Sequence, residues 1–505
     1  MKNKAIKTVS FILAATMLSK VMGFVRDILI ASRYGTGIEA DAFNKASQIP
    51  TMFFELAFGA AILSTFIPIF NGFLEKNGRE RAFEFSNNFI NITVLISAVF
   101  TVISMFFAKQ LAYISIPGFD AQALNLTATM IVIMVPIAIF TTVAFFIVGI
   151  LQSFDEFNIP AIISLVSNIA VIIYLIFFNG SFGIYGLAFA MLIGWSLQVF
   201  VQIPALIKKG YKYKFTLNFK DEGIKEVFKL ALPILISSCF YTLSVYINDI
   251  FASYLGEGTV SALGYSNRLL MIVGVVALSV TNYIFPSLSR LHESDTEAFS
   301  AVLKQSVRVI MLIITPITLG IMILSTEIIT IAYGYNVFDQ NSITLTSTAL
   351  FYYAIGTLSY GMNEVITKAY FAMKNVKAPM IASVAGVATI VALSYSFTKI
   401  FSFGIGSLAL SVSIATVVIS IVLLMSMNRK VKFIDKSMVA FALKIICATA
   451  LMTVTALLAK KLTADYAVII QSVATAACGG AVYLISIYLL KIEELKGLIK
   501  HKSDN

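Results

Sequence analysis

Histidine and cysteine are nearly absent from this chain of 505 residues, which holds two of the first and three of the second. His292 and His501 lie far apart in charged segments, so no histidine-based metal site is expected. Cys239, Cys447 and Cys478 all fall within apolar runs and are odd in number, which implies neither a disulfide framework nor a thiolate metal site. No Gly-x-x-x-x-Gly-Lys-Ser/Thr loop occurs, so nothing in the chain is built to cradle a nucleotide. Charge is sparse as well: 12% of the residues are Asp, Glu, Lys or Arg, against about 25% in a soluble domain. Together these absences argue against an enzyme, a metal or any other cofactor.

What is present is apolar. Hydrophobic residues make up 59% of the chain, and the mean hydropathy is +0.90. Crossing a hydrocarbon core of roughly 30 Å takes about 20 helical residues. Reading apolar runs between polar or Pro/Gly breaks gives fourteen candidate spans: 8–32, 42–73, 88–108, 126–151, 159–178, 182–207, 228–255, 261–288, 307–326, 344–372, 378–398, 402–427, 437–459 and 466–490. Lys2, Lys4 and Lys7 ahead of the first run imitate a signal peptide, but the run continues past Gly23 to Ser32 and reads as a retained span. The expected fold is therefore all-α and polytopic, with about fourteen transmembrane helices. The abundant Met and Phe read as lipid-facing and packing residues in that setting.

The net charge of +11 could suggest nucleic acid, but the cations sit in short loops between apolar runs, as orientation signals do. With the N-terminus in the cytoplasm, 26 of the 37 Lys and Arg fall on the cytoplasmic side. The heaviest group is Lys208, Lys209, Lys212, Lys214, Lys220, Lys225 and Lys229; the opposite side holds Arg33, Lys45, Lys109, Lys399, Lys460 and Lys461. That bias predicts both termini in the cytoplasm.

The chain also echoes itself at a spacing of roughly 220 residues. Ala31-Ser32-Arg33-Tyr34-Gly35-Thr36-Gly37 parallels Ala252-Ser253-Tyr254-Leu255-Gly256-Glu257-Gly258, and Phe182-Gly183-Ile184 parallels Phe403-Gly404-Ile405. Leu187-Ala188 likewise parallels Leu408-Ala409, Pro68 pairs with Pro286, and Pro160 with Pro379. An even number of spans separates the copies. Two six-helix bundles related by a pseudo-twofold axis along the membrane normal follow, with a cavity between them and two extra helices. The expected divisions are a first lobe at 1–207, a basic cytoplasmic linker at 208–227, a second lobe at 228–427, two further spans within 428–490, and a cytoplasmic tail at 491–505.

Charges at membrane depth single out candidate functional residues. They are Lys20, Arg26 and Asp27 in the first span, Glu55 in the second, Asp249 in the seventh, Arg268 in the eighth, and Glu364 with Lys368 in the tenth. Each would cost on the order of 3 kcal/mol facing lipid, so they must face the interior, a partner or water. Lys444, near a span end, can snorkel. Lys20 and Asp27, seven residues apart, share a helix face, and with Thr16 and Gly23 they form a polar stripe fit for a cavity wall. Lys20, Arg26 and Arg268 are expected to face an anionic substrate, because arginine stays charged when desolvated and grips phosphate with two donors. Glu364 and Lys368, at i and i+4 in the favourable order, read as a structural ion pair. Asp249 beside Asn248 is either locally paired or couples transport to a monovalent cation or proton. Glu55 is open between a structural and a substrate role.

Ser19-Lys20-Val21-Met22-Gly23-Phe24-Val25-Arg26-Asp27, Asp41-Ala42-Phe43, Ile49-Pro50, Phe66-Ile67-Pro68 and Pro117-Gly118-Phe119 resemble motifs of the MurJ/MviN lipid II flippases. So do Asn267-Arg268-Leu269, Phe285-Pro286-Ser287-Leu288-Ser289, and the stretch from Tyr370-Phe371-Ala372 to Lys377-Ala378-Pro379. The resemblance runs over nearly the whole chain. It implies a bilobed fold in a bacterial cytoplasmic membrane and a cationic central cavity. It also implies alternating-access flipping of the undecaprenyl-pyrophosphate-linked peptidoglycan precursor, with membrane lipids as surroundings and neither nucleotide nor nucleic acid as partner. Arg26 and Arg268 fall on family cavity arginines, Asp27 and Asp41 on its motif acids, and Lys20 where arginine is common. Two departures stand out: Phe54-Glu55 replaces an arginine pair, and Gly59-Ala60-Ala61-Ile62 replaces Glu-Gly-Ala-Phe. The cavity is then less positive, and another lipid-linked glycan is the alternative substrate, ahead of a cation-coupled drug antiporter or a non-transporting scaffold.

Overall fold

Hydrocarbon offers the backbone no hydrogen-bond partner, so a chain this apolar must satisfy its peptide groups internally, as helix does. The computed structural model describes residues 2–59, 65–401, 403–492 and 494, and the side chains among them except those at 2–9, 232–242, 244, 283 and 292–294. Ala60, Ala61 and Ile62, His501, the side chains of His292 and Cys239, and most of the expected tail lie outside that description. Cys447 and Cys478 are free thiols.

The first half of the chain forms α1 (Lys2–Tyr34), α2 (Ile38–Phe54), α3 (Ile67–Phe106), α4 (Ala108–Ser115), α5 (Ala121–Met134), α6 (Ile137–Ser153), α7 (Asn158–Ile173) and α8 (Asn179–Lys208). The second half forms α9 (Glu222–Ser253), α10 (Thr259–Ser294), α11 (Thr296–Ile323), α12 (Ser325–Tyr333), α13 (Gln340–Ala354), α14 (Thr357–Ala372), α15 (Lys377–Tyr395) and α16 (Ile405–Val431). Helices α17 (Lys436–Leu462) and α18 (Val468–Leu489) follow. The order of α1–α8 thus recurs in α9–α16, down to details no single motif revealed. Short α4 has its counterpart in short α12. The α5–α6 break at Val135-Pro136 recurs between α13 and α14 at Ile355-Gly356. One π-helical turn at Tyr174–Phe178 recurs at Ser396–Ile400. Asp120 caps α5 by accepting from Ala123 N at 2.8 Å, and Asp339 caps α13 by accepting from Ser342 N at 2.8 Å.

Nine helical stretches among the described residues are long and apolar enough to cross a membrane; one, Asn158–Lys208, holds two of the expected spans. The expected second span is not one helix. Pro50 lies inside α2, which gives way to a π-helical segment at Glu55–Gly59, the kind of irregularity a missing N–H donor permits. Helix α3 is itself bent at Gly78, whose φ of +80° only glycine adopts readily. The expected tenth span is divided at Ile355-Gly356 for the same reason as the fourth: glycine or proline at the break.

Residues 1–260 and 261–505 pack as two units. Helix α9, grouped with the second lobe on sequence grounds, lies in the first unit. Phenylalanine packs there as expected: Phe66 is fully buried and its ring lies 5.2–5.9 Å from those of Phe70, Phe85, Phe89 and Phe146. Such ring pairs contribute about 0.5–1.5 kcal/mol beyond area burial. The linker is no loose tether. Residues 211–218, neither helix nor strand, lie along α3, where Asn87, Asn88 and Asn91 donate to the carbonyls of Lys212, Asn218 and Thr216 at 2.8–3.0 Å. Tyr211 donates to Asn87 Oδ1 at 2.6 Å, and burial pushes its hydroxyl up to about 12.

In the second unit, α17 is fastened at both ends. At one end Lys304 meets Asp435 at 2.6 Å, while Arg308 meets Glu494 at 2.8 Å and donates to Ser437 Oγ at 2.8 Å. At the other, Lys460 meets Glu327 at 2.8 Å and donates to the Ile323 carbonyl at 2.7 Å. Lys444 does not need to reach water, since it donates to the Leu490 carbonyl at 2.8 Å. Asp435 also accepts from Met438 N at 2.9 Å and so caps α17. The hydrogen bond from Lys304, with those from Met438 and Ser437, holds its carboxyl well below the usual carboxylate range. A depressed carboxyl contributes stability above its unfolded value and loses it as pH falls. Amide exchange at residues 432–440 is therefore expected to stay slow from neutral pH down to about pH 4 and to quicken only below it; Asp435→Asn should quicken it at pH 7 and flatten that acid response.

Candidate functional site

Arg26 and Asp27 are neighbours on α1, yet the long guanidinium folds back onto the carboxylate. Nε and Nη2 of Arg26 both donate to Asp27 Oδ1, at 3.1 and 2.8 Å. Nη1 donates to Asn168 Oδ1 on α7 at 3.0 Å, and Asn168 Nδ2 donates to the Ser19 carbonyl at 3.1 Å. Gly23 makes room for this amide: a Cβ there would sit 3.3 Å from Asn168 Nδ2. The Arg26 side chain remains 24% exposed, Asp27 10%, and Lys20 is exposed one and a half turns away. The sequence pointed to Arg26 and Asp27; Asn168, a lone amide in an apolar run, carried no signal.

A second charged group joins α2 to α9. Lys45 Nζ meets Asp249 Oδ2 at 3.1 Å, and their side chains are 0% and 7% exposed. The ammonium also donates to Gln48 Oε1 at 3.3 Å and lies 3.9 Å from the Tyr246 ring centroid. Asp249 therefore has a local partner. Lys45, expected with the cations of the outer side, instead lies inside α2 and is fully buried, because an acid roughly 200 residues away compensates it. Only the fold could bring that acid near.

A third group closes the α1–α2 and α9–α10 turns on each other. Fully buried Asp41 accepts from Gly258 N at 2.7 Å, and Ile38 N donates to Glu257 Oε1 at 2.9 Å. Gly258 has φ +85°, and a Cβ there would lie 2.4 Å from the Thr36 carbonyl oxygen. Gly118 of the Pro117-Gly118-Phe119 turn is as tight, donating to Ser253 Oγ at 3.0 Å. The repeated Gly-x-Gly and the Pro-Gly-Phe turn thus meet in one place.

Of the remaining residues, Glu55 lies within the electrostatic reach of Tyr246 of the Lys45 group. Glu55 is exposed at the first position of its π-helical segment. In the second unit the Arg268 guanidinium lies 5.7 Å from the Tyr265 ring, which packs with Tyr333 and Phe338. Glu364 is hydrogen-bonded by Tyr360 within the field of Lys368, and the Lys368 ammonium lies over the Phe285 ring at 5.9 Å.

Membrane-length helices, an element order used twice, and charges at bilayer depth held by carboxylates, amides and rings define a polytopic transporter of the membrane. The chain belongs to the family described as "Lipid II flippase MurJ", whose model matches residues 30–477. A "Probable lipid II flippase MurJ" of Buchnera aphidicola subsp. Schizaphis graminum is 30% identical over 407 residues, 79% of each chain. The "Lipid II flippase MurJ" of Burkholderia cenocepacia is 28% identical over 438 residues, covering 85% of this chain and 84% of the relative. A solved structure titled "Lipid II flippase MurJ, inward closed conformation" superposes with a TM-score of 0.80 at 26% identity, covering 95% of this chain and 98% of that one. An inward-facing multidrug MATE transporter of the MOP superfamily has a TM-score of 0.72 at 14% identity over 84% of this chain and 98% of its own, a likeness of fold alone.

Two substitutions test this geometry. Gly258→Ala should cost about 1–3 kcal/mol through its positive φ and collision with Thr36, whereas Gly264→Ala, with open space around it, should leave thermal unfolding in detergent nearly unchanged. Lys45→Met leaves a buried carboxylate without its cation, a loss of about 3–5 kcal/mol. Adding Asp249→Asn should restore part of it, so the double variant is expected to melt above Lys45→Met alone.

Proposed function

We propose that this chain is a flippase for lipid II, moving the lipid-linked peptidoglycan precursor from the inner to the outer leaflet of the cytoplasmic membrane. The observation that carries the reading is the Arg26 guanidinium. It has five N–H donors, and three are engaged: Nε and one on Nη2 by Asp27, one on Nη1 by Asn168. One donor on each terminal nitrogen remains, and that end of the side chain is partly exposed. Two such donors in a fixed fork match two oxygens of a pyrophosphate. Asp27 and Asn168 fix the fork before substrate arrives, and Lys20 adds a nearby point charge without directional demand. Arg268 is assigned the same task from the second unit, with Tyr265 supporting its plane, and Asp41 the task of holding the turns at residues 35–37 and 256–258.

The transport cycle we infer is alternating access between two six-helix lobes, 1–207 and 228–427, with both termini in the cytoplasm. Asp249 is assigned to coupling: a proton or monovalent cation that neutralised it would release Lys45, whose burial depends on that carboxylate. Glu364 and Lys368 are assigned to structure. A second reading, export of another undecaprenyl-linked glycan, is favoured by one specific feature. Glu55 stands where the family's arginine pair would add positive charge, and its exposed carboxylate would repel a strongly anionic headgroup.

Complementation of a strain conditionally depleted of its own lipid II flippase separates the two. Wild type is expected to restore growth, Arg26→Ala to fail at equal membrane abundance, and Arg26→Lys to restore it partly, keeping charge without the fork. Full rescue by Arg26→Ala would remove Arg26 from the substrate site. Failure of a well-inserted wild type would move the assignment to the other glycan.

A further inference from the structure

Residues 211–218 form a strap fastened to α3 at two levels. At one end Tyr211 donates to Asn87 Oδ1 at 2.6 Å, and the Lys212 carbonyl accepts from Asn87 at 3.0 Å. At the other, Asn218 N donates to Asn88 Oδ1 at 2.7 Å and its carbonyl accepts from Asn88 at 2.8 Å. The residues between reach one turn further along α3. Tyr213 donates its hydroxyl to Asn91 Oδ1 at 2.8 Å, and the Thr216 carbonyl accepts from Asn91 at 3.0 Å. Beyond its bend at Gly78, α3 runs from a charged loop into a span expected to begin at residue 88. The middle of the strap is therefore its deepest part.

Three spans agree on that depth. Tyr213 lines a half-open apolar groove between α3, α6 and α8 together with Val94, Ile147 and Ile203. Counted from the expected ends of those spans, at residues 88, 151 and 207, these three positions lie about one to two turns inward, roughly 6–9 Å. The repeat gives the same level by a different route. Phe107 ends α3 at φ −102°, ψ 24°, donating to the Ile103 carbonyl, and Leu324 ends α11 at φ −104°, ψ 16°, donating to the Gly320 carbonyl. Counted back from these matched ends, Asn87 corresponds to Lys304 and Asn91 to Arg308. Lys304 holds Asp435, which caps α17, and Arg308 holds Ser437 in its first turn. In the first half the strap thus occupies the level at which the second half admits a new membrane helix.

Fastened at that level, the strap leaves Tyr213 65%, Phe215 69% and Phe219 57% exposed. Aromatic side chains favour the border between hydrocarbon and headgroups. We infer that the strap is a membrane anchor, with Tyr213, Phe215 and Phe219 seated in the boundary between headgroups and acyl chains. The leaflet is the cytoplasmic one in the orientation proposed above; the depth does not depend on that orientation. Lipid is the partner because the strap's own hydrogen bonds hold its middle inside the ends of three spans, where bilayer surrounds the protein. The segment joining the two halves is then held in the membrane border and is not a linker in open water.

Trp195 is the only tryptophan of the chain, so Trp195→Phe leaves a dark background in which Phe215→Trp is a single reporter. The full-length protein is reconstituted in phosphatidylcholine vesicles whose acyl chains carry bromine near the headgroup or near the methyl end, and iodide is supplied on both sides. The reporter at position 215 is expected to lose about half its intensity or more to bromine near the headgroup, less to bromine near the methyl end, and almost none to iodide. Glu80→Trp in the same background, exposed on α3 ahead of its span, should respond to iodide and to neither bromolipid. Both proteins are compared at matched thermal unfolding temperature. A reporter at 215 that behaves like the one at 80 overturns the anchor. Protection from iodide and from both bromolipids shows protein cover and overturns lipid as the partner, and stronger quenching by the methyl-end bromines overturns the boundary placement. No substrate enters the measurement, so its outcome is separate from that of the flippase assignment.

Discussion

A bilayer interior gives a peptide group nothing to bond to, and most of this architecture follows from that constraint. Helix satisfies the backbone within each segment, so breaks are confined to places where another group replaces the lost hydrogen bond. The π-helical turns at Tyr174–Phe178 and Ser396–Ile400 keep their carbonyls engaged. The breaks at Pro136 and Gly356 are spanned by turn hydrogen bonds such as Ala138 N to Val135 O at 3.0 Å and Gly356 N to Tyr353 O at 3.1 Å. Ten prolines serve so long a chain because each requires such a repair.

The same constraint governs charge. An ammonium as deeply buried as Lys45 persists because its acid lies within direct contact and an aromatic face covers it. Such a pair adds little to stability by itself, since desolvation offsets most of its attraction. What it fixes is register: α2 cannot slide past α9 without stranding both charges. The Arg26 group differs in being shallower. Its carboxylate and amide orient the guanidinium while leaving donors over, so the same type of contact that locks α2 to α9 here leaves a cation oriented and partly exposed.

Much of the fold was legible in the sequence because its signals are local. Span positions follow from hydropathy over some twenty residues, and the repeated Gly-x-Gly marks the turns ahead of α2 and α10 through glycine's access to positive φ. Arg26 and Asp27 were legible as charges where charge is costly. Lys45 was not, because its partner lies on a distant segment and two tolerable neighbours, Asp41 and Gln48, disguise its depth. Asn168 was silent for a similar reason, being one amide in an apolar helix whose worth depends on Gly23 opposite. The linker's lysines read as an orientation signal and say nothing of its packing. The asparagines that make a fixed strap of it sit more than a hundred residues earlier.

The two copies of the repeat have kept their breaks and lost their common chemistry. In the register set by Gly35 and Gly256, Arg26 of α1 falls opposite Ile247 of α9, and Asp27 opposite Asn248. Lys45 corresponds to Ser266, and Arg268 corresponds to Ser47. Backbone irregularities answer to the bilayer, which imposes the same constraint on each copy. Charges answer to what each copy must hold. Arg26 of α1 has an acid beside it and an amide on α7 to orient it; the equivalent position of α9 is the isoleucine Ile247. The frame recurs in both copies, but a guanidinium held by a neighbouring acid and a facing amide is found on α1 and not at the matching position of α9, and Arg268 of α10 stands at a different register.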